Sequence, residues 1–157
     1  MEIVPNVVNK INDWDGDIAF TADTHGENYL EANEGKHLPV VHCVQNTDGW
    51  ELRAEVAKAV KEKMDAKVFQ GVSFLKDTFG SLDLMNYISA IGYEYVEFIG
   101  LCTDICVASN AIMAKAFLLE AQIVVDPSCC AGVTPETHDA ALTTMKMRQI
   151  DILEVAK

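Results

Sequence analysis

The stretch Tyr95-Val96-Glu97-Phe98-Ile99-Gly100-Leu101-Cys102-Thr103-Asp104-Ile105-Cys106-Val107 decides the fold. A β-rich run ends near Gly100, a short polar turn follows, and a pattern with helical spacing occupies residues 105–119. Residues 122–126 read as a second strand stopped by Pro127, and residues 135–147 as a helix with proline in its first turn. Strand, helix, strand and helix at these lengths indicate a parallel sheet covered by helices.

The N-terminal half fits the same alternation. Ile3, Val7, Val8 and Ile11 share one helix face. Residues 17–22, 39–43 and 66–70 read as short strands, 51–63 and 81–91 as helices, and 150–155 as a closing strand. The expectation is an α/β fold, a three-layer α/β/α arrangement around a mostly parallel sheet, in a single domain over residues 1–157. Ligands of such sheets sit beyond the carboxyl ends of the strands. The chemistry is therefore expected just after Ala22, Gln70, Leu101 and Asp126.

The chain has 157 residues, 50% hydrophobic and 23% charged, as expected of one soluble domain. Twelve Lys and Arg against 24 Asp and Glu give a net charge of −12. That surface repels phosphate backbones and anionic lipid, so neither a nucleic acid nor a membrane is an expected partner. No run approaches the ~18 apolar residues of a membrane span, and Met1 to Pro5 shows no secretory pattern. Five irregularly spaced cysteines (Cys43, Cys102, Cys106, Cys129, Cys130) suit a reducing cytoplasm better than a disulfide framework.

Three groups of residues carry candidate chemistry. Cys106 falls in the first turn of a helix, with Thr103 or Asp104 as its cap, where unpaired backbone N–H groups and the helix dipole favour a thiolate. The same donors suit a tetrahedral oxyanion; the alternative is a small buried hydrophobe. Lys76, flanked by Phe74, Leu75 and Phe79, reads as a partly desolvated ammonium able to hold a carboxylate, or else as a solvated lysine. Asp23, His25 and His42 are ligand types for zinc or a similar ion, without an evident fourth ligand. Asp23 as a loop cap and His42 as a hydrogen-bonded histidine are the alternatives. His37 and His138 read as solvated, and Cys129-Cys130 as packing residues in a loop. Trp14, Trp50, Phe74 and Phe79 are candidates for an aromatic pocket lining.

Together these residues resemble the isochorismatase-like cysteine hydrolases, the superfamily of nicotinamidase and related amidases. The resemblance runs from about Ile3 to the C-terminus and centres on residues 100–107. Supporting stretches are Asp23-Thr24-His25, residues 38–43 with 47–50, residues 76–81 and residues 126–138. It implies that Cys106 attacks the carbonyl of a small amide, an amine leaves, and water hydrolyses the thioester. Lys76 would be the lysine of the family's Asp-Lys-Cys triad, and the backbone N–H groups of Cys102 and Cys106 its oxyanion hole. It further implies a cis peptide at Leu101–Cys102, a cytoplasmic homo-oligomer and no cofactor.

Two departures from the family pattern bear on these expectations. Metal-binding nicotinamidases carry another histidine between the positions of His25 and His42; residues 26–36 hold none, so no metal is expected. The family's first strand, central in its sheet and ending in the general-base aspartate, has no counterpart ahead of the first helix. Asp13, Asp15 and Asp17 precede a strand and do not replace that aspartate. A shortened chain, or another segment or subunit filling the gap, would account for this. The alternative functions are a catalytically impaired relative kept for ligand binding or assembly, and a thiol redox protein using Cys102 and Cys106.

Overall fold

The fold is given by a computed structural model that describes residues 3–65 and 71–154. In chain order the elements are α1 (Val4–Asp13), β1 (Ile18–Asp23), a 3-10 turn (Tyr29–Glu31), α2 (Asn33–His37), α3 (Ala54–Asp65) and β2 (Gly71–Lys76). Then follow α4 (Leu82–Ile91), β3 (Tyr95–Leu101), a π-helical turn (Thr103–Val107), α5 (Ala108–Phe117), β4 (Gln122–Ala131), α6 (Pro135–Lys146) and β5 (Asp151–Ile152). Every strand pairing among the described residues is parallel, so the fold is α/β as the alternation implied.

The chain divides into two compact units, Met1–Trp14 with Leu82–Lys157, and Asp15–Ser81. In the first, the sheet runs β3-β4-β5, and α1, α5 and α6 all pack against β4. Ile123, Val124 and Val125 of β4 are almost wholly buried, together with Met85 of α4, Ala111 of α5 and Met145 of α6. A strand enclosed on both faces loses the polar alternation of an exposed one, hence the unbroken apolar run. In the second unit β1 pairs with β2 in register from Ile18↔Gly71 to Asp23↔Lys76.

Three local expectations are corrected, and a fourth falls outside the described residues. The strand expected at 66–70 lies outside the described residues; the observed strand is β2, and Lys76 is its last residue rather than a loop residue. Residues 39–43 form no strand, and the stretch touches a ladder only through the isolated bridge His25↔Val44. Pro127 does not stop β4. The ladder jumps from Phe98↔Val125 to Gly100↔Cys130, leaving residues 126–129 as an excursion that needs no ladder donor at the proline. Cys129 and Cys130 are therefore buried strand residues, not loop residues.

Helix α1 is fixed to the sheet by charge as well as by its apolar stripe. Val7 and Ile11 are buried, and the Lys10 ammonium lies 2.8 Å from both Glu97 of β3 and Asp126 of β4. Burial pushes the Asp126 carboxyl up, but hydrogen bonds from Lys10 and Ser128 outweigh it and hold it below its ordinary value of 3.8. Lys10→Met is expected to cost about 3 kcal/mol, because it strands two carboxylates that are nearly out of water. A carboxyl depressed in the folded state stabilises above its unfolded pKa, and that stability is lost as pH falls through the folded value. Urea midpoints of the two proteins should therefore differ at pH 7 and converge below about pH 4. An unchanged difference at acid pH would remove Asp126 as the cause.

Candidate active site

The turn after β3 carries Cys106. The peptide bond between Leu101 and Cys102 is cis, matching the expectation. The expected α-helical first turn is instead a π-turn. Both Ile105 and Val107 donate their N–H to the Cys102 carbonyl at 3.1 Å, and the α-helix proper begins at Ala108. Neither Thr103 nor Asp104 is a cap: the cap position of the π-turn is Cys102 and that of α5 is Val107. Thr103 is fully buried, with its hydroxyl 2.8 Å from His138 Nδ1. Both Asp104 oxygens accept the Val133 N–H at 3.2 Å. His138, read from sequence as solvated, is thus half-buried and engaged.

Cys106 itself is half-buried, and its carbonyl accepts from the Asn110 side chain at 2.7 Å. The other four thiols are held protonated at neutral pH. Burial pushes Cys43, Cys102 and Cys129 above the ordinary value of 9.0, and for Cys102 the Asp104 charge adds to it. Burial raises Cys130 to about 12. A protonated thiol is a poor nucleophile, so burial counts against these four, and Cys106 is the candidate by its place in the turn after β3.

The unit of residues 15–81 assembles the second group. Lys76 is 6% exposed; its ammonium donates to the Asp23 carboxylate and to the Thr78 carbonyl. The parallel register sets Asp23 directly beside Lys76 at the ends of β1 and β2. The desolvated lysine holding a carboxylate is therefore present, and its partner is Asp23. Thr24, next in the chain, accepts from the Trp50 indole N–H at 2.9 Å, which ties the loop bearing Trp50 to this strand end.

Beyond Asp23 the chain brings two imidazoles together. The His25 backbone N–H donates to the Cys43 carbonyl and the His25 carbonyl accepts from the Gln45 backbone N–H, so the 42–45 segment runs alongside it. The ring centroids of His25 and His42 are 4.8 Å apart. One ligand atom from each of Asp23, His25 and His42 lies within 4.8 Å of the others. His42 Nδ1 sits 2.7 Å from the Val40 carbonyl. A carbonyl only accepts, so Nδ1 carries the proton and Nε2 keeps its lone pair. Burial lowers the His25 pKa, favouring the neutral ring a metal requires.

Sequence reasoning missed Glu34. Its carboxylate lies 3.5 Å from His25 Nε2, and both His25 Nε2 and Glu34 Oε2 are buried without a hydrogen-bond partner among the described residues. Gly35 permits this approach. A β-carbon there would sit 2.1 Å from the Tyr29 carbonyl oxygen, so α2 closes onto the 3-10 turn only with glycine at that place. A buried acceptor pair left unpaired beside a second carboxylate and a second imidazole fits a divalent cation of the zinc class. Of the aromatic candidates, Trp50 belongs to this unit's loop, and Trp14 lies against Tyr95 in the other unit, with centroids 6.1 Å apart.

The isochorismatase domain matches residues 1–157. A nicotinamidase/pyrazinamidase of Mycobacterium tuberculosis is 28% identical over 120 residues, or 71% of this chain; the match spans 61% of that relative's length. A crystal structure of a Streptococcus mutans pyrazinamidase/nicotinamidase superposes with a TM-score of 0.80 at 25% identity, over 97% of this chain and 85% of that one. The nicotinamidase of Staphylococcus aureus gives 0.74 at 26% identity, over 99% and 88%. No helix among the described residues is long and apolar enough to cross a membrane. With its parallel strands, its cysteine-bearing turn and a domain match that runs from end to end, this chain belongs to the isochorismatase family.

Proposed function

We propose that this chain hydrolyses the carboxamide of a small molecule such as nicotinamide or pyrazinamide, with Cys106 as nucleophile. The observation that carries this reading is the turn after β3, which presents a half-buried thiol on a segment held at both ends. The Cys106 sulfur forms a bond to the amide carbon, the C–N bond breaks with proton transfer to the departing nitrogen, and ammonia leaves. Water then adds to the thioester, releasing the acid and the thiol. The backbone N–H groups of Cys102 and Cys106 are the proposed oxyanion donors. Lys76, the match to the family's triad lysine, is the proposed cation of the same reaction.

Asp23, His25, Glu34 and His42 are the residues that would hold a divalent cation. When bound, such an ion supplies Lewis-acid polarisation of a donor atom on the substrate. Glu34→Gln is expected to weaken zinc affinity by about 10-fold or more, with little effect on the metal-free unfolding midpoint. Titration against a chelating dye reads the affinity, and an unchanged value would exclude Glu34 as a ligand.

The reaction is tested by incubating the protein with nicotinamide and pyrazinamide, measuring ammonia, and quenching early turnovers for peptide mass spectrometry. Ammonia release with an acyl adduct on the Cys106 peptide is the expected result. Tight binding of these amides with no release would instead favour a ligand-binding relative that has lost catalysis.

A further inference from the structure

We propose that His138 is a positioning residue: through the buried hydroxyl of Thr103 it sets the orientation of the turn that presents Cys106. This rests on Cys106 being the nucleophile. Thr103 opens the π-turn and has no exposed surface, so its hydroxyl must find its partner inside the protein. That partner is His138 Nδ1 at 2.8 Å, 35 residues further along the chain. The next turn residue, Asp104, is bound by the Val133 N–H. One short stretch around the start of α6 therefore holds two consecutive residues of the nucleophile turn.

That stretch is itself built to stay in place. Thr134 caps α6 through a reciprocal box with Thr137, and Pro135 occupies the first turn. Gly132 lies against His138 so closely that a β-carbon would come within 2.9 Å of the His138 backbone nitrogen. On its far side the turn is tied by Asn110 to the Cys106 carbonyl. Without His138, the Thr103 hydroxyl has a local alternative, since threonine readily rotates to bond a nearby main-chain carbonyl. The turn would then relax at its first residue, and a shift of about 1 Å at a nucleophile costs roughly 100-fold in rate.

The test compares His138→Leu, His138→Asn and Thr103→Val with the wild type. Asparagine can place an amide nitrogen or oxygen where Nδ1 sits; leucine cannot. Ammonia release from nicotinamide gives kcat and KM, and iodoacetamide labelling of the Cys106 peptide gives thiol reactivity without any substrate. Unfolding midpoints report the folded state. His138→Leu is expected to lower kcat by about 10- to 100-fold with KM within about two-fold, and to change the labelling rate. His138→Asn should recover most of both. Thr103→Val, similar in shape, should reproduce the leucine phenotype, and the double variant should be no worse than either single one.

Unchanged kcat and labelling in His138→Leu would overturn the proposal. So would an asparagine variant as impaired as leucine, or a loss confined to KM. Should His138→Leu fail to fold, Thr103→Val alone decides by the same readouts. If the wild type releases no ammonia from any amide, the proposed reaction has failed. The labelling rates still decide whether His138 positions the thiol.

Discussion

Serine in place of Cys106 is expected to lower kcat for amide hydrolysis by about 10⁴-fold or more, with binding of the amide largely retained. An alcohol is far less ionised than a thiol at neutral pH, so serine is much the poorer nucleophile. The substitution should leave the fold intact, because Cys106 is only half-buried and Asn110 grips its backbone carbonyl rather than its sulfur. Cys102→Ser is the informative contrast. Burial and the Asp104 charge keep that thiol protonated, so its replacement should change kcat by only a few-fold. Turnover of Cys106→Ser within ten-fold of wild type would end the cysteine mechanism, and loss of turnover in Cys102→Ser would reopen the redox reading.

Lys76→Met carries the second large effect, on rate and on stability together. The rate should fall by about 10²- to 10³-fold, the range seen when a positioned charged or proton-handling group is removed. Stability should fall by about 3 kcal/mol, because methionine leaves the Asp23 carboxylate without the ammonium it holds inside the unit. If Lys76 and Cys106 serve one step, the double variant Cys106→Ser, Lys76→Met is no slower than Cys106→Ser alone. Additive losses would assign Lys76 to structure only. A divalent cation should return part of the lost stability, since Asp23 belongs to the histidine–carboxylate cluster as well. Urea midpoints with and without zinc measure that return.

What was legible in the sequence was what depends on neighbours in the chain. The run from Tyr95 to Val107 gave the strand, the turn and the cysteine, because a buried strand and a following helix are both written in local apolar spacing. Pro135 located α6 to within a residue. Local rules misled where a long-range partner decides. Val40 and Val41 have strand chemistry but are more than half exposed, and the Val40 carbonyl serves to orient His42 instead. Pro127 looked like a stop because nothing nearby reveals that β3 lets β4 bulge past it. Glu34 could not be found by spacing, since its place beside His25 depends on α2 closing over Gly35. The partnership of Thr103 with His138 spans two helices and a strand.

Translation order follows from one feature of the second unit. Asp23, His25, Glu34 and His42 are neighbours along the chain as well as in space, and they leave the ribosome within one short interval. Lys76 comes 53 residues after Asp23. A cation in the surrounding solution thus meets the Asp23 carboxylate before its ammonium partner has been synthesised, and the lysine is the later arrival at a carboxylate already open to other ions.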